Sequence, residues 1–426
     1  MENLVYNKRI STVVPARMTP EEKSSHELTS MDLAMKLHYI RGVYFFESKA
    51  VEGLVILDLK KAFFQLLNVY FAASGRVRRS EHGGGRPMIK CNDSGVRIVE
   101  AQCSKNLEEW MGIMKDDHSI NDHLTYKHVL GPDLGFSPLV FVQFTWFQCG
   151  GMSVGLSWSH ILGDIFTASA FINMWAQILG GHPPRHPAEN PSSETDKLPC
   201  FTTKSCSLKT VGPVGDYWVA PNNCKMRTHS FHITEQQLHH LLTKICRLSP
   251  SEKIRPFECI SAIIWKSLAK IRKELMQEFV TICTHNSHDI GNESPRNRQV
   301  VSTVEFDAHF DADVLHVANF IAKKQVDERE KIAELIDKED GNLDCIVYGA
   351  NLTFVNLEGT KMYEMELKGV KTVYANYTID GVGDNGVVLV LPEMKDGDKG
   401  LRVTMIMSEN EVAELKNELK YEWSIN

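Results

Sequence analysis

The chain has 426 residues, of which 43% are hydrophobic and 24% charged, enough apolar material for packed interiors and, by length, for two or three domains. A formal charge of -7 and a pI near 6.2 leave no overall basic footprint, which argues against sequence-wide binding to nucleic acid or to an anionic membrane. Ten cysteines lie scattered without a C-x-x-C pair, a pattern that speaks against a disulfide framework or a structural zinc site and for a reducing, cytosol-facing location.

Met1 to Arg17 mixes Glu2, Lys8 and Arg9 with short apolar pairs and lacks the apolar stretch of a signal peptide. No window reaches the roughly 18 uncharged apolar residues of a spanning helix. The end, Glu422 to Asn426, carries no lipidation box, so membrane residence is expected only through a partner. A strand-like opening, Ile10 to Val14, precedes Leu28-Thr29-Ser30-Met31-Asp32, a polar helix cap leading into Leu33, Leu37 and Ile40. Tyr39 to Phe46 reads as strand. Asp58 to Ala73 spaces Leu59, Ala62, Phe63, Leu66, Leu67 and Tyr70 as one buried helix face, with a turn at Ser74-Gly75. Pro87 to Val99, and Leu139 to Trp158 around Gly150-Gly151, have the β-branched and aromatic content of hairpin strands, and Asp164 to Leu179 reads as helix.

From Gly180 to Asn223 the residues turn to Gly, Pro, Ser and Asn, and Pro183, Pro184, Pro187, Pro191 and Pro199 forbid a long regular element. This divides the chain into a first lobe at 1–180, a Pro-rich linker at 181–223 and a second lobe at 224–426. Helices are expected at Glu235 to Leu248 and Pro256 to Lys273, a strand at Gln299 to Phe306, and a charged helical stretch at Ala312 to Asp337. Strands at Tyr348 to Asn356, Val373 to Ile379 and Gly386 to Leu391 precede a last helix near Ser408 to Glu422. The coarse order is mixed α/β in two lobes.

The sharpest local feature is His160-Ile161-Leu162-Gly163-Asp164, set where a strand ending at Trp158 gives way to a helix. A histidine there suits a general base that takes the proton of an acceptor hydroxyl or amine attacking an acyl thioester; a hydrogen-bonded core histidine is the plainer alternative. Asp164 suits a helix cap or loop support better than a proton relay. The H-x-x-x-D spacing alone decides nothing, since it recurs at His118/Asp122, His285/Asp289 and His309/Asp313, all in polar stretches that read as exposed. Ser157 and Ser159 lack a nucleophile elbow. Gly381-Val382-Gly383-Asp384-Asn385-Gly386 has the look of a phosphate loop, but strands on both sides make it a glycine hairpin. His239-His240 point about 100° apart on a helix, which fits solvent exposure better than metal binding. Trp146, Trp158, Trp175 and Trp265 fit core packing before an acyl tunnel, and Lys204, Lys209 and Lys225 a solvated linker before a coenzyme A phosphate site.

The run Ser137 to Gly151, continuing through Leu156-Ser157-Trp158-Ser159-His160, resembles the stretch before the catalytic histidine of the plant BAHD acyltransferases, and Pro256 to Lys266 is similar to that family's second-lobe helix. The resemblance covers essentially the whole chain. It implies two chloramphenicol-acetyltransferase-like lobes, each a mixed sheet with helices, joined by a crossover loop, with a channel admitting coenzyme A thioester and acceptor from opposite faces. Two departures stand out: Ile165 follows Asp164 where the family carries glycine, and Glu366-Leu367-Lys368-Gly369-Val370 replaces the late Asp-Phe-Gly-Trp-Gly box. Thr29 to Tyr39, Lys90 to Gly95 and Tyr348 to Phe354 look like the eceriferum and Glossy-type wax proteins.

That branch implies an accessory protein of very-long-chain fatty acid elongation, working with a membrane-bound β-ketoacyl-CoA synthase at the cytosolic face of the endoplasmic reticulum. The alternative is an active acyltransferase with His160 as general base and acyl-CoA as substrate. No permanently bound cofactor or metal is expected.

Overall fold

The computed structural model describes residues 4–79, 85–185, 207–246, 254–272, 279–285, 296–305, 313–395 and 398–425. Two large mixed sheets dominate. The first runs in the order Val5–Val13, Val96–Cys103, Val140–Trp146, Met152–Ser159, Tyr39–Phe46, Tyr374–Asp380. The second runs Met226–Thr234, Asp398–Ser408, Val387–Lys395, Thr353–Asn356, Phe279–Thr284, Val300–Glu305, Val326–Asp327.

Strand alternation explains how each sheet is covered on both faces. In the fully buried strand Tyr39–Phe46, Ile40, Tyr44 and Phe46 face the helices Ile56–Leu66 and Ile165–Leu179, while Val43 and Phe45 face Trp110 of the helix Leu107–Asp116. Phe63 stacks on Trp175 at 5.4 Å, and Trp158 tilts against Phe171 at 5.1 Å. The Trp158 and Trp175 indole N–H groups donate to the carbonyls of Gly163 and Leu59, so both rings are core with their one polar atom satisfied. In the second sheet Val388 and Val390 pack with Phe257, Ile264, Val317 and Leu415, whereas Val387, Leu389 and Leu391 point the other way into the core that holds the first sheet's apolar residues. The halves therefore share one interior.

The division at residue 224 is not the division of the sheets, because Tyr374–Asp380 pairs antiparallel with Tyr39–Phe46 and closes the edge of the first sheet. The glycine loop 381–386 is consequently no hairpin. Its flanking strands belong to different sheets, and it carries the chain between them; Gly381, at φ 80°, passes so close that an added Cβ would lie 2.1 Å from the Leu37 carbonyl oxygen. The stretch expected as one helix at 312–337 is two, Val314–Lys323 and Arg329–Lys338, since Val326–Asp327 extends the edge of Val300–Glu305 and the Glu328 N–H bonds the Val301 carbonyl. Pro87 to Val99 splits likewise: Met88–Lys90 joins a small sheet with Ser25–Glu27 and Arg76–Arg78, and Val96–Cys103 the large one. The strand expected from Tyr348 begins at Thr353, after a turn through Gly349 at φ 79°. Of the linker, 186–206, with Pro187, Pro191, Pro199 and Lys204, lies outside the described residues. Its later part is packed: Lys209–Thr210 pairs with Cys345–Ile346, and buried Trp218 accepts the Tyr39 hydroxyl on its carbonyl at 2.7 Å.

Where the late glycine and tryptophan box is missing, Glu366–Leu367 and Val370–Lys371 make a tight hairpin with Lys368 and Gly369 both at positive φ, as its twist requires. Leu367 is buried and the Lys368 ammonium bonds the Glu52 carbonyl, so packing is retained there by other means. Nearby, Arg402 and Glu393 form a buried ion pair; the Tyr363 hydroxyl donates to Glu393 at 3.0 Å, and the Arg402 guanidinium lies 4.5 Å from the Tyr374 ring. Tyr374 belongs to the first sheet and the charges to the second. Glu393→Gln strands the guanidinium between the sheets, and the expected loss of stability is about 3–5 kcal/mol, measurable by urea unfolding.

Candidate active site

His160 begins a short 3-10 turn at the end of the strand Met152–Ser159, and Asp164 caps the helix Ile165–Leu179. The turn between them needs Gly163, whose φ of 134° puts any added Cβ 2.8 Å from the Thr167 side chain. Both oxygens of the Asp164 carboxylate accept backbone N–H groups, and the Thr167 hydroxyl adds a third bond. One oxygen accepts the Thr167 N–H at 3.0 Å, the other the Arg298 N–H at 3.2 Å. It thus fixes the helix start and pins the 296–299 segment of the second half to it.

His160 has no exposed surface. Its backbone N–H donates to the His38 carbonyl and its carbonyl accepts from the Asn297 amide at 2.8 Å. The same Asn297 amide group and the Asn297 backbone N–H both bond one oxygen of buried Asp32, which also closes a capping box with Thr29. His160 Nε2 lies 3.1 Å from the Tyr348 hydroxyl, and that hydroxyl donates to Gln299 Oε1 at 2.8 Å. The hydroxyl owns one proton. With that proton on Gln299, a hydrogen bond between Tyr348 and His160 is completed by the tautomer that carries its hydrogen on Nε2. The Gln299 amide nitrogen faces the Met35 thioether at 3.8 Å, which fits this orientation of the amide. Burial lowers the His160 pKa, opposed by Asp164 and by hydrogen bonding, and burial raises that of Tyr348 well above the usual phenol value, so both are neutral.

His38, whose role no local motif marks, sets the Tyr348 backbone. Its Nε2 accepts from the Val347 and Tyr348 N–H groups at 3.1 and 3.3 Å, and its ring lies 4.9 Å from the tyrosine ring. Burial, with neighbouring His160, depresses its pKa to about 3. A cavity of about 10 Å³ adjoins this cluster, lined by Asp164, Ile165, Phe166, Cys283, Gln299 and Tyr348 among others. That is room for about one water.

Among the described residues, the other histidine–aspartate pairs form no comparable site. His118 is buried, not exposed, with its ring edge-on to His229 at 5.3 Å, while Asp122 bonds Lys127. The 3-10 turn His118–His123 buries the ring against the strand Met226–Thr234 of the second sheet. His285 lies 4.3 Å from Phe166, and Asp289 and His309 fall outside the described residues. Asp313 caps a helix through the His316 N–H. His239 and His240 are exposed, Lys209 is exposed, and Lys225 pairs with Glu409 at 3.0 Å. Asn297 and Tyr348 stand 137 and 188 residues from His160, and although Tyr348 opens a stretch that carries the family resemblance, nothing local to it or to Asn297 and Gln299 marks their contact with the histidine.

Residues 5–285 match the sequence model of the transferase family, and the chain belongs to it, within the BAHD acyltransferases. Among curated relatives it is 41% identical to Protein ECERIFERUM 2 of Arabidopsis thaliana, over 97% of this chain and 98% of that protein, and 38% identical to Protein ECERIFERUM 26 of the same plant, over 98% and 95%. The fold is that of the crystal structure of vinorine synthase, with a TM-score of 0.72 at 16% identity over 96% of both chains. It is also that of TRI101 of F. sporotrichioides in complex with coenzyme A and T-2, with a TM-score of 0.69 at 14% identity over 94% and 98%.

The buried neutral His38 makes stability depend on pH. An imidazole with a folded pKa near 3 and an ordinary unfolded value near 6.5 binds its proton first in the unfolded chain. Its contribution is therefore complete above pH 6.5 and is lost as pH falls toward 3, by about 1.4 kcal/mol per pH unit. Urea midpoints between pH 7 and 5 are expected to fall more steeply for the wild type than for His38→Gln, with the variant less stable at pH 7.

Proposed function

We propose that this protein is an accessory factor of very-long-chain fatty acid elongation for cuticular wax, acting beside a β-ketoacyl-CoA synthase so that acyl chains are extended beyond that enzyme's own reach. The observation that carries this reading is the setting of His160: it has no exposed surface, and its Nε2 lies 3.1 Å from the Tyr348 hydroxyl, which itself bonds Gln299, so the ring is packed into the junction between the halves. Full-length similarity to ECERIFERUM 2 and 26 supports it. The condensing enzyme supplies the endoplasmic reticulum membrane on whose cytosolic face the complex works, and acyl-CoA is the substrate of the assembly. The competing reading, acyl transfer to an alcohol or amine, draws on the intact His160/Asp164 spacing.

Yeast expressing a plant condensing enzyme separates the two when fatty acids are profiled without this protein, with it, and with its His160→Ala and His160→Gln forms. Gln keeps an N–H donor for Tyr348 and guards against misfolding. The wild type and both His160 variants are expected to lengthen the acyl chains. Loss of a general base costs about 100- to 10,000-fold in rate, so extension by the wild type alone, with His160→Gln present at equal level, overturns the accessory reading.

A further inference from the structure

Two side chains from opposite halves, Ile165 and Tyr348, line one small cavity that reaches His160 through the Tyr348 hydroxyl. Ile165, the first residue of the helix after Asp164, is 2% exposed and lines the small cavity beside the histidine from the first half. Tyr348 lines it from the second half, 1% exposed, with its hydroxyl at hydrogen-bond distance from Nε2, where the oxygen of an attacking acceptor would have to sit. The remaining space, about 10 Å³, compares with the several hundred Å³ of ordinary small-molecule sites. Cys283, Val355 and Leu357 complete an apolar wall.

We propose that Ile165 and Tyr348 form a two-sided plug that excludes acyl thioesters from His160, and that thioester cleavage by this histidine is latent beneath it. The proposal rests on the accessory reading and gives it a structural cause. Each plug residue acts differently. Ile165 takes up the room with a side chain that is 2% exposed, so its removal opens a cavity at the first turn of the helix. Tyr348 takes up room and also holds the Nε2 proton in place by accepting it.

With both removed, Nε2 is free to lose its hydrogen to Nδ1 through solvent and to face a water instead. The reaction then available is hydrolysis of an acyl-coenzyme A. The water oxygen bonds the carbonyl carbon while its proton passes to Nε2. The C–S bond breaks, and the departing thiolate takes that proton from the imidazolium, leaving a fatty acid, the coenzyme A thiol and a neutral histidine.

Two readouts on the purified full chain test this without a condensing enzyme: carbethoxylation of His160 by diethyl pyrocarbonate, located by peptide mass spectrometry, and thiol release from palmitoyl-CoA. In the wild type, His239 and His240 are expected to react and His160 to stay unmodified; His160 reacting as fast as those two overturns the plug outright, whatever the variants do. In Ile165→Gly/Tyr348→Ala, His160 is expected to be modified and thiol release to rise about 100-fold, a gain that adding His160→Gln abolishes. If that variant does not fold, Ile165→Ala/Tyr348→Phe is read the same way, with a smaller gain. A folded variant with His160 still protected contradicts the plug, and one with His160 modified but no thiol release contradicts the latent chemistry. Neither result touches the yeast elongation experiment, whose failure would overturn the accessory reading alone.

Discussion

Between the halves, the Tyr348 hydroxyl bonds Gln299 on one side and His160 on the other, and the surrounding polar contacts keep it there. His38 holds the tyrosine backbone through two N–H groups, Asn297 ties the His160 carbonyl to Asp32, and Asp164 ties the helix start to the Arg298 backbone. Every one of these groups is buried or nearly so, where an unpaired donor or acceptor costs about 1–3 kcal/mol. A network of this kind is stable only when its members are satisfied together. That is why the residues of a catalytic motif persist here in a structural arrangement: removing any one strands its partners on the other half of the molecule.

The sheets around this junction explain why it stays shut. One interior runs from Val140 and Trp158 of the first sheet to Val387, Leu389 and Ile406 of the second, and the strand Tyr374–Asp380 belongs to one sheet by pairing and to the other by chain continuity. The Arg402–Glu393 pair with Tyr363 and Tyr374 is a second point at which charge, ring and hydroxyl groups from both sheets depend on each other. Separating the halves to admit a thioester would break apolar and polar contacts at once.

Much of this could be read from residues alone. The strand into Ser159, the turn, the Asp164 cap and the helix to Leu179 follow from local composition and cap chemistry, the mixed α/β order in two lobes from the sequence of elements, and the chloramphenicol-acetyltransferase-like lobes from the family resemblance. What escaped was non-local. The strands Met226–Thr234 and Phe279–Thr284 do not alternate strictly between buried and exposed positions, Val280 to Cys283 being buried in a row, so their period-two signal is weak. The exchange of Tyr374–Asp380 between halves has no sequence signal, and it turned an expected glycine hairpin into a link between sheets. Ile165 was visible as a departure from the family pattern, yet its meaning needed Tyr348, 183 residues further on, brought opposite it by the fold.

The account turns on which nitrogen of His160 carries the hydrogen. Nitrogen-15 shifts of the histidine side chains at pH 7, with His160 assigned by comparison to His160→Gln, report this directly. A neutral ring protonated on Nε2, which gains its second proton only below the ordinary imidazole range, is the result predicted. A ring protonated on Nδ1 with Nε2 bare, or one titrating near pH 6.5 as a solvent-facing imidazole does, would contradict it and return His160 to the role of a base.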